Sequence, residues 1–253
     1  MIKTVRVVWE KVPDAAAYPF ALPAVKGLDE IDFGHSLVVL VGENGSGKST
    51  LLEAVGIAMG CSAEGGSKNF RFSTSDSHSA LHEFVRISRD YRRISDVYFY
   101  RAETHYNLAA QMRRLDDEPG FGPPIRMSYG GQILHELSHG QSVIALLRHR
   151  FKGGGLYIMD EPEAALSPTR QLEMMAFVHR LIARGAQFIL ATHSPLLMAM
   201  PGAAIFELSE AGVRRVEYDD VSHVTLYRRI LRDPEFIESM LSEEEGDNEE
   251  GTR

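Results

Sequence analysis

A glycine-rich run carries the clearest chemistry of this chain. Its sequence is Gly42-Glu43-Asn44-Gly45-Ser46-Gly47-Lys48-Ser49-Thr50, and its glycines, lysine and hydroxyl have the spacing of a phosphate-binding loop. In such a loop, backbone N–H groups cradle phosphate oxygens at a helix N-terminus, the lysine reaches the β- and γ-phosphates, and the hydroxyl ligates Mg²⁺. The run therefore predicts a site for a nucleoside triphosphate, with Lys48 active in catalysis and Ser49 on the metal. The residues expected to contact the nucleotide are Asn44, Gly45, Ser46, Gly47, Lys48, Ser49 and Thr50.

A pair of carboxylates follows a second apolar run. Leu156-Tyr157-Ile158-Met159 leads into Asp160-Glu161-Pro162, 112 residues after Lys48. Alone, two adjacent acids at the end of a strand are equally typical of a solvated turn. Together with the phosphate-binding loop, they favour a site where Asp160 holds Mg²⁺ and Glu161 polarises the attacking water.

A short polar motif lies 19 residues before Asp160. Leu137-Ser138-His139-Gly140-Gln141 precedes an apolar helical pattern, and Ser138 with Gln141 satisfies the S-x-x-Q pattern of a capping box. A capped helix N-terminus with a hydroxyl and spare N–H groups also suits a γ-phosphate. The two interpretations are compatible, so the motif predicts a helix cap and, from its position, a phosphate contact.

One histidine stands at the end of a third apolar run. His193 lies in Ala191-Thr192-His193-Ser194-Pro195, where the proline suits the first turn of a helix. Most single histidines are structural, but one at the end of a core strand can sense the γ-phosphate. We expect His193 to be a catalytic switch residue. Ser167-Pro168 predicts another helix N-terminus and a second candidate for a subunit boundary.

These four motifs together resemble the ABC-type ATPases. Their order and spacing are similar to those of the small stand-alone ATPases of the AAA-family and SMC-like branch, over about residues 2–210. The resemblance implies a P-loop NTPase of α/β fold, an enzyme that hydrolyses ATP with Mg²⁺ as a head-to-tail homodimer. Two ATP molecules would lie between the P-loop of one subunit and Ser138, His139, Gly140 and Gln141 of the other, and hydrolysis would reopen the dimer.

Three positions depart from the pattern of that family. His139 stands where the motif usually has glycine, and Leu166-Ser167-Pro168 replaces the usual Leu-Asp. The glutamine expected after the middle strand is also missing, since Tyr100-Arg101-Ala102-Glu103 occupies its place. Glu103 is therefore a candidate Mg²⁺ or water ligand, with Gln111 as the weaker choice and an exposed strand end as the alternative.

The elements that must position these residues alternate between strands and helices. The patterns predict strands near residues 2–9, 36–41, 156–159 and 187–191, helices at 51–59, 142–151, 169–183 and from 195, and a hairpin over 204–218. This rhythm predicts a mostly parallel, doubly wound sheet. Residues 61–80 and 116–132 read as loops, and 81–87 with 97–100 read as an antiparallel lobe over about residues 70–103. The expected organisation is one ATPase domain over 1–241, with a signature-helix region at 125–151.

The composition of the chain limits the class of protein and the cellular compartment that can be expected. The formal net charge is −8, but residues 233–253 hold nine carboxylates and one base, so the rest is formally neutral. We expect residues 242–253 to be a disordered acidic tail. Cys61 is the only cysteine, which excludes a disulfide framework and predicts a small buried side chain. Without a long apolar run or a signal peptide, a cytoplasmic location is expected.

The partner remains open at the level of sequence. Seven arginines make residues 86–114 basic, which suits either a nucleic-acid backbone or a solvated lobe that could dock the acidic tail; they are Arg86, Arg89, Arg92, Arg93, Arg101, Arg113 and Arg114. We expect an ATPase that acts on a protein or nucleic-acid partner. The alternatives are the nucleotide-binding subunit of a membrane transporter and an ATP-sensing clamp with little hydrolysis.

Overall fold

A seven-stranded mixed sheet is the centre of the molecule. The computed structural model describes residues 1–26, 28–68, 78–118, 123–233, 235–238 and 240–241. In chain order the strands are β1 (Ile2–Val7), β2 (Ile31–Asp32), β3 (Leu37–Gly42), β4 (Gly66–Ser67), β5 (Val85–Arg89), β6 (Val97–Arg101), β7 (Leu156–Asp160), β8 (Gln187–Ala191), β9 (Ala204–Ser209) and β10 (Gly212–Val216). The central sheet has the order β10-β9-β3-β8-β7-β6-β4, and its five middle strands are parallel. The parallel core predicted from the apolar runs is confirmed.

Helices and a second sheet cover the two faces of the central sheet. The α-helices are α1 (Lys48–Ala58), α2 (Leu81–Phe84), α3 (His105–Asp117), α4 (His139–Ala145), α5 (Pro168–Ile182), α6 (Pro195–Met198) and α7 (Ser222–Arg232). Alternate residues of β3 enter different core layers: Val39 packs with α3 to α6, and Leu40 packs with α1 and the second sheet. Because side chains alternate along a strand, a run that is apolar throughout must be covered on both faces. Both faces of the parallel strands are therefore buried, as the doubly wound fold requires.

The antiparallel lobe differs from its prediction. The second sheet has the order β2-β1-β5, so its strands come from residues 2–7, 31–32 and 85–89. Residues 81–84, expected in a strand, form the short helix α2. Strand β6, expected in the lobe, instead lies parallel to β7 in the central sheet. The physical reason is that residues 97–100 are all buried, which suits a central strand and not a lobe with one solvated face.

The helix after Ser138 begins where the capping box predicts, three residues before the start at 142 that the apolar pattern gives. Its α-helical part starts at His139, and Leu146–Arg150 continues it as a π-helix. Helices α3 and α7 lie in segments for which the sequence pattern predicts a loop or no element. In α3, Leu108 and Met112 are buried at helical spacing, a signal that the surrounding polar residues hid.

Some of the predicted segments lie partly or wholly outside the described residues. Part of the predicted 61–80 loop is described and contributes β4, while 69–77 lie outside the described residues, as do 119–122 and the expected tail at 242–253. Cys61 is buried as predicted, and burial raises the pKa of its thiol to about 12. No helix within the described part of the chain is long and apolar enough to cross a membrane.

Candidate functional site

The glycine-rich run forms a loop between the buried strand β3 and the N-terminus of α1. Gly42, Gly45 and Gly47 all have positive φ, at 147°, 80° and 97°, which side-chain-bearing residues rarely adopt. A Cβ on Gly42 would lie 2.3 Å from the carbonyl oxygen of Leu208 in β9. The glycines thus allow a tight backbone loop at a helix N-terminus, where N–H groups can bind an anion.

Lys48 lies inside this loop. Its Nζ donates to the carbonyl oxygens of Gly42 at 2.7 Å and Glu43 at 2.9 Å, and the residue is 5% exposed. Burial lowers the pKa of Lys48, and the nearby carboxylates of Glu161 and Asp160 partly oppose this effect. Two carbonyl oxygens are weaker partners for an ammonium group than a phosphate. The lysine is therefore placed to exchange them for a phosphate group.

The two metal candidates predicted from different motifs touch each other. Ser49 Oγ donates to Asp160 Oδ1 at 3.0 Å across 111 positions of sequence. Asp160 ends β7 and is 5% exposed, and burial raises the pKa of its carboxyl to about 6. A buried carboxylate beside a hydroxyl gives the hard oxygen donors that Mg²⁺ prefers.

Two of the predicted catalytic residues, Glu161 and His193, lie just beyond the ends of neighbouring strands. Glu161 follows β7 with φ of 50°, an unusual value for a residue other than glycine, and its N–H donates to Ala191 O at 3.0 Å in β8. Glu161 Oε1 is 3.9 Å from His193 Nε2. Burial lowers the pKa of His193, and nearby Lys48 lowers it further. The positive φ turns the backbone sharply at the strand end, which is where strain accompanies function in many sites.

One carboxylate at this site was missed in the sequence. Glu163 Oε1 accepts hydrogen bonds from Thr192 Oγ1 at 2.6 Å and from the backbone N–H of His193 at 2.7 Å. Burial raises the pKa of Glu163. These two bonds tie the segment after β7 to the segment after β8, so Glu163 positions the backbone that carries His193. Its place two residues after Glu161 was the available signal.

Arg101 is the second missed residue. It was grouped with the basic lobe, but it ends β6 and pairs in parallel register with Asp160. Its guanidinium lies 2.8 Å from Glu53 Oε2, 3.5 Å from Glu103 Oε2 and 3.9 Å from Asp160 Oδ2. The candidate ligand Glu103 lies at the same sheet edge, with its side chain 79% exposed. Gln111, the weaker candidate, lies farther along the chain within α3.

The motif around Ser138 is a helix cap on the molecular surface. Ser138 Oγ accepts from Gln141 N at 3.3 Å, and Gln141 Oε1 accepts from Ser138 N at 2.9 Å, which completes the predicted capping box. Both residues are exposed. The helix α4 packs in the core layer of Val39, whereas α1 packs in the opposite layer. Within one chain, therefore, α4 and the P-loop helix lie on opposite faces of the central sheet.

His139 and Gly140 of this motif both pack closely against other segments of the chain. His139 Nε2 is 3.0 Å from the hydroxyl of Tyr100 in β6, and burial lowers the pKa of His139. A Cβ on Gly140 would lie 2.6 Å from Ala165 O, in the segment after β7. The motif is thus packed against β6 and against the segment that follows the two carboxylates.

Several buried polar atoms around this loop have no hydrogen-bond partner among the described residues. Within the described residues, Ser46 Oγ, Arg101 Nε and His193 Nε2 are buried without a hydrogen-bond partner. Native proteins pair most such atoms, so groups left unpaired around one loop are typical of a polar binding site. No cluster of three or more His, Cys, Asp or Glu able to hold a metal occurs among the residues that the structure describes. Ser49 and Asp160 would fit Mg²⁺, which prefers oxygen donors and keeps few protein ligands.

Comparisons with known families point to the same class of site. A family model described as "AAA domain" matches residues 24–134. A second, described as "AAA domain, putative AbiEii toxin, Type IV TA system", matches residues 126–199. The first contains the glycine-rich loop, and the second contains the Ser138 motif, both carboxylates and His193.

Curated relatives of the chain are export proteins. The macrolide export ATP-binding/permease protein MacB of Marinobacter nauticus is 29% identical over 197 residues, which covers 69% of this chain and 29% of that protein. A probable export ATP-binding/permease protein of Pseudomonas fluorescens is 28% identical over 213 residues, or 78% of this chain and 32% of that protein. The chain thus spans about a third of the length of these relatives.

Solved structures share the fold. The ADP conformation of MJ1267, an ATP-binding cassette of an ABC transporter, aligns with a TM-score of 0.50 at 16% identity. The alignment covers 95% of this chain and 98% of that one. At this identity the match concerns the fold alone, and it extends over nearly the whole of both chains.

Proposed function

We propose that this chain is an ABC-type P-loop ATPase head that hydrolyses ATP as a head-to-tail homodimer, in which each subunit completes the site of the other. One observation carries the proposal. Three neighbouring parallel strands bring the P-loop, the carboxylates and the histidine together, with Ser49 Oγ 3.0 Å from Asp160 Oδ1 and Glu161 3.9 Å from His193. Each of these residues has a distinct task in phosphoryl transfer to water.

Binding and activation are assigned to different residues of this set. Lys48 and the N–H groups of the P-loop bind the β- and γ-phosphates, replacing the carbonyl contacts of Lys48. Glu161 orients the attacking water and accepts its proton at a carboxylate oxygen. His193 Nε2, buried and without a hydrogen-bond partner among the described residues, senses the γ-phosphate. The products are ADP and inorganic phosphate.

The proposal includes a magnesium ion. Ser49 and Asp160 would hold it, with Glu103 as a further candidate at the same sheet edge. When bound, such an ion would supply positive charge against the negative charge that develops on the phosphates. Burial raises the pKa of Asp160 even though the Arg101 guanidinium lies 3.9 Å away, so a further cation would stabilise this buried carboxylate.

The homodimer is supported by the surface position of the Ser138 motif. Ser138 and Gln141 are exposed, and their helix packs on the sheet face opposite to α1. The N-terminus of α4 carries a partial positive charge and a hydroxyl that is directed to the surface, both suited to a γ-phosphate held by a second copy. A cytoplasmic location belongs to the same proposal, since the single, buried Cys61 suits a reducing compartment.

A second candidate function is that of a nucleotide-binding subunit of a transporter. It is favoured by the curated relatives, whose names describe ATP-binding/permease proteins for export. A subunit of this kind would co-purify with a membrane protein when expressed in its own cells. Recovery of Glu161→Gln protein with only soluble partners would support the first candidate instead.

Phosphate release tests the assigned chemistry. Glu161→Gln keeps the size of the side chain but removes the proton acceptor, so turnover should fall by about 10²- to 10⁴-fold. The exposed Glu210, in the turn between β9 and β10, offers the matched control Glu210→Gln, which should keep wild-type turnover. Wild-type protein that binds ATP without releasing phosphate would identify the non-hydrolysing clamp, and an active Glu161→Gln variant would refute the assignment of the base.

A further inference from the structure

A large cleft lies away from the P-loop. It has a volume of about 1140 Å³ and is bordered by the C-terminal end of α1, the edge strand β5, and the segment 90–97 that leads into β6. The cleft contains Ala58 to Gly60 at one end of α1, whereas the phosphate-binding residues are at the other end. Eleven helical residues separate the two regions by about 16 Å. This cleft therefore has no part in the proposed hydrolysis.

Most charged residues that line the cleft are basic, and most of these bases form no ion pair with a described residue. Six bases line it, against three acids; the bases are Lys11, Lys68, Arg86, Arg89, Arg92 and Arg93, and the acids are Glu83, Asp90 and Asp96. Asp90 is held by the Met1 amino group at 2.7 Å and by Arg92 at 2.6 Å, and Asp96 is paired with Arg150. The other five bases make no ion pair within the described residues. Cations that are exposed together and lack internal partners attract a polyanion.

The distribution of the bases argues for a chain and against a small anion. Pockets for small ligands are mostly apolar, with a few polar groups that converge on one point. The basic residues of this cleft are instead distributed over three separate segments of the wall. Such a distribution suits successive phosphates along a nucleic-acid backbone.

An exposed aromatic residue adds a second kind of contact. Tyr91 is 99% exposed and does not line the cleft itself, but both of its chain neighbours, Asp90 and Arg92, do, so Tyr91 stands beside the cleft in open solvent. A large aromatic side chain fully in water has no stabilising role in the fold, but it can stack on a base. Bases are available for stacking in single strands and are already stacked in a duplex. The combination of Tyr91 with neighbouring arginines therefore favours single-stranded nucleic acid.

We propose that this cleft binds single-stranded nucleic acid, with Arg86, Arg89 and Arg93 on its phosphates and a base stacked on Tyr91. The rest of the chain does not repel such a ligand, since the acidic excess is confined to residues 233–253. Arg101, Arg113 and Arg114 from the same basic stretch lie elsewhere: Arg101 is at the ATP site, and the other two are on α3. Binding here does not require hydrolysis, so its test is independent of the proposed ATPase cycle.

Fluorescence anisotropy with a labelled 20-nucleotide oligo(dT), at several salt concentrations, tests the site in the full-length protein. Arg89→Ala/Arg93→Ala should weaken binding at least tenfold and reduce the slope of log K against log salt by about 1.4, because each phosphate contact on a single strand contributes about 0.7. Tyr91→Ala should weaken binding about 5- to 150-fold, and Tyr91→Phe should retain it. The same oligonucleotide as a duplex with oligo(dA) should bind less tightly.

Controls decide between this ligand and its alternatives. Arg114→Ala/Arg232→Ala removes two exposed arginines outside the cleft and should leave binding unchanged. ATP turnover of Arg89→Ala/Arg93→Ala without nucleic acid should match the wild type, which shows that the fold is intact. The proposal is overturned if oligo(dT) does not bind at low salt, if the control pair weakens binding equally, or if duplex binds as well and Tyr91→Ala has no effect. Full displacement by micromolar inorganic tripolyphosphate would identify a small-anion site and also overturn it.

Discussion

Ser138 can be either a helix cap alone or a cap that also contacts ATP held by a second subunit, and one pair of variants separates these roles. Ser138→Asn and Ser138→Asp both retain a side-chain oxygen that can accept from Gln141 N, as Ser138 Oγ does at 3.3 Å. Asn, Asp and Ser are about equally good N-caps, so both variants should remain within about 0.5 kcal/mol of the wild-type free energy of unfolding. Loss of the cap itself, in Ser138→Ala, should cost about 1 kcal/mol.

The two variants differ in the charge that they would bring to a γ-phosphate. Two unit negative charges about 4 Å apart repel by about 4 kcal/mol at the effective dielectric constant of a protein surface. That energy corresponds to roughly a thousandfold weaker association for each composite site. Because a head-to-tail homodimer contains two such sites, Ser138→Asp should eliminate the ATP-dependent dimer and its turnover. Ser138→Asn adds no charge and should retain both.

The assay combines urea unfolding with phosphate release at several protein concentrations. We expect two variants of equal stability, of which one loses turnover. Nucleotide binding to the isolated subunit should be equal in both, since Lys48 and Ser49 are unchanged. Equal turnover in Ser138→Asp and Ser138→Asn would show that Ser138 acts only as a helix cap.

Three further predictions concern residues inside the site. Glu163→Ala should lower the free energy of unfolding by about 1–3 kcal/mol and also lower turnover, because it leaves Thr192 Oγ1 and the His193 N–H without their acceptor. Glu163→Gln retains an acceptor oxygen and should keep the stability of the wild type. An equal loss of stability in both variants would contradict this role of Glu163. His139→Gly should keep ATP-driven dimerisation but alter the acid side of the pH–rate profile, since burial lowers the pKa of His139. An unchanged profile would show that His139 is only a tolerated substitution in this motif. Asp160→Asn, in EDTA without nucleotide, should raise the free energy of unfolding by about 3 kcal/mol above pH 6 and by little below about pH 4. The raised pKa of Asp160, about 6, makes the folded wild type lose stability as pH rises through this range, so equal effects at both pH values would contradict the assignment.

The central strands and their motifs could be predicted from the sequence because the signals there are local and strong. Strands β3, β7 and β8 are apolar runs that end directly in glycine, carboxylate or polar residues, and each occurs where it was predicted. The caps at Ser138 and Ser167 depend on residues within three positions, and both are present. Short-range patterns of this kind determine local structure with little influence from the rest of the fold.

The sequence-based predictions fail for contacts between residues that are far apart in the sequence. Whether β6 pairs with β5 or with β7 is decided by which faces are covered, and burial of residues 97–100 on both faces favours the central sheet. This placement moved Arg101 from the expected basic lobe to the ATP site, beside Asp160. Glu163 was missed for the same reason, since its two partners are 29 and 30 positions away. The spacing of motifs predicted the site, but not the residues that support it.

The most direct test of the composite site is the mass of Glu161→Gln protein in solution with ATP and Mg²⁺, measured by light scattering during size exclusion. We predict a shift from the 28.2 kDa monomer to a species of twice that mass, and the loss of this species when Ser138→Asp is added. A monomer with ATP bound would show that the site is not shared between subunits, and a dimer that persists with Ser138→Asp would show that Ser138 does not contact the γ-phosphate.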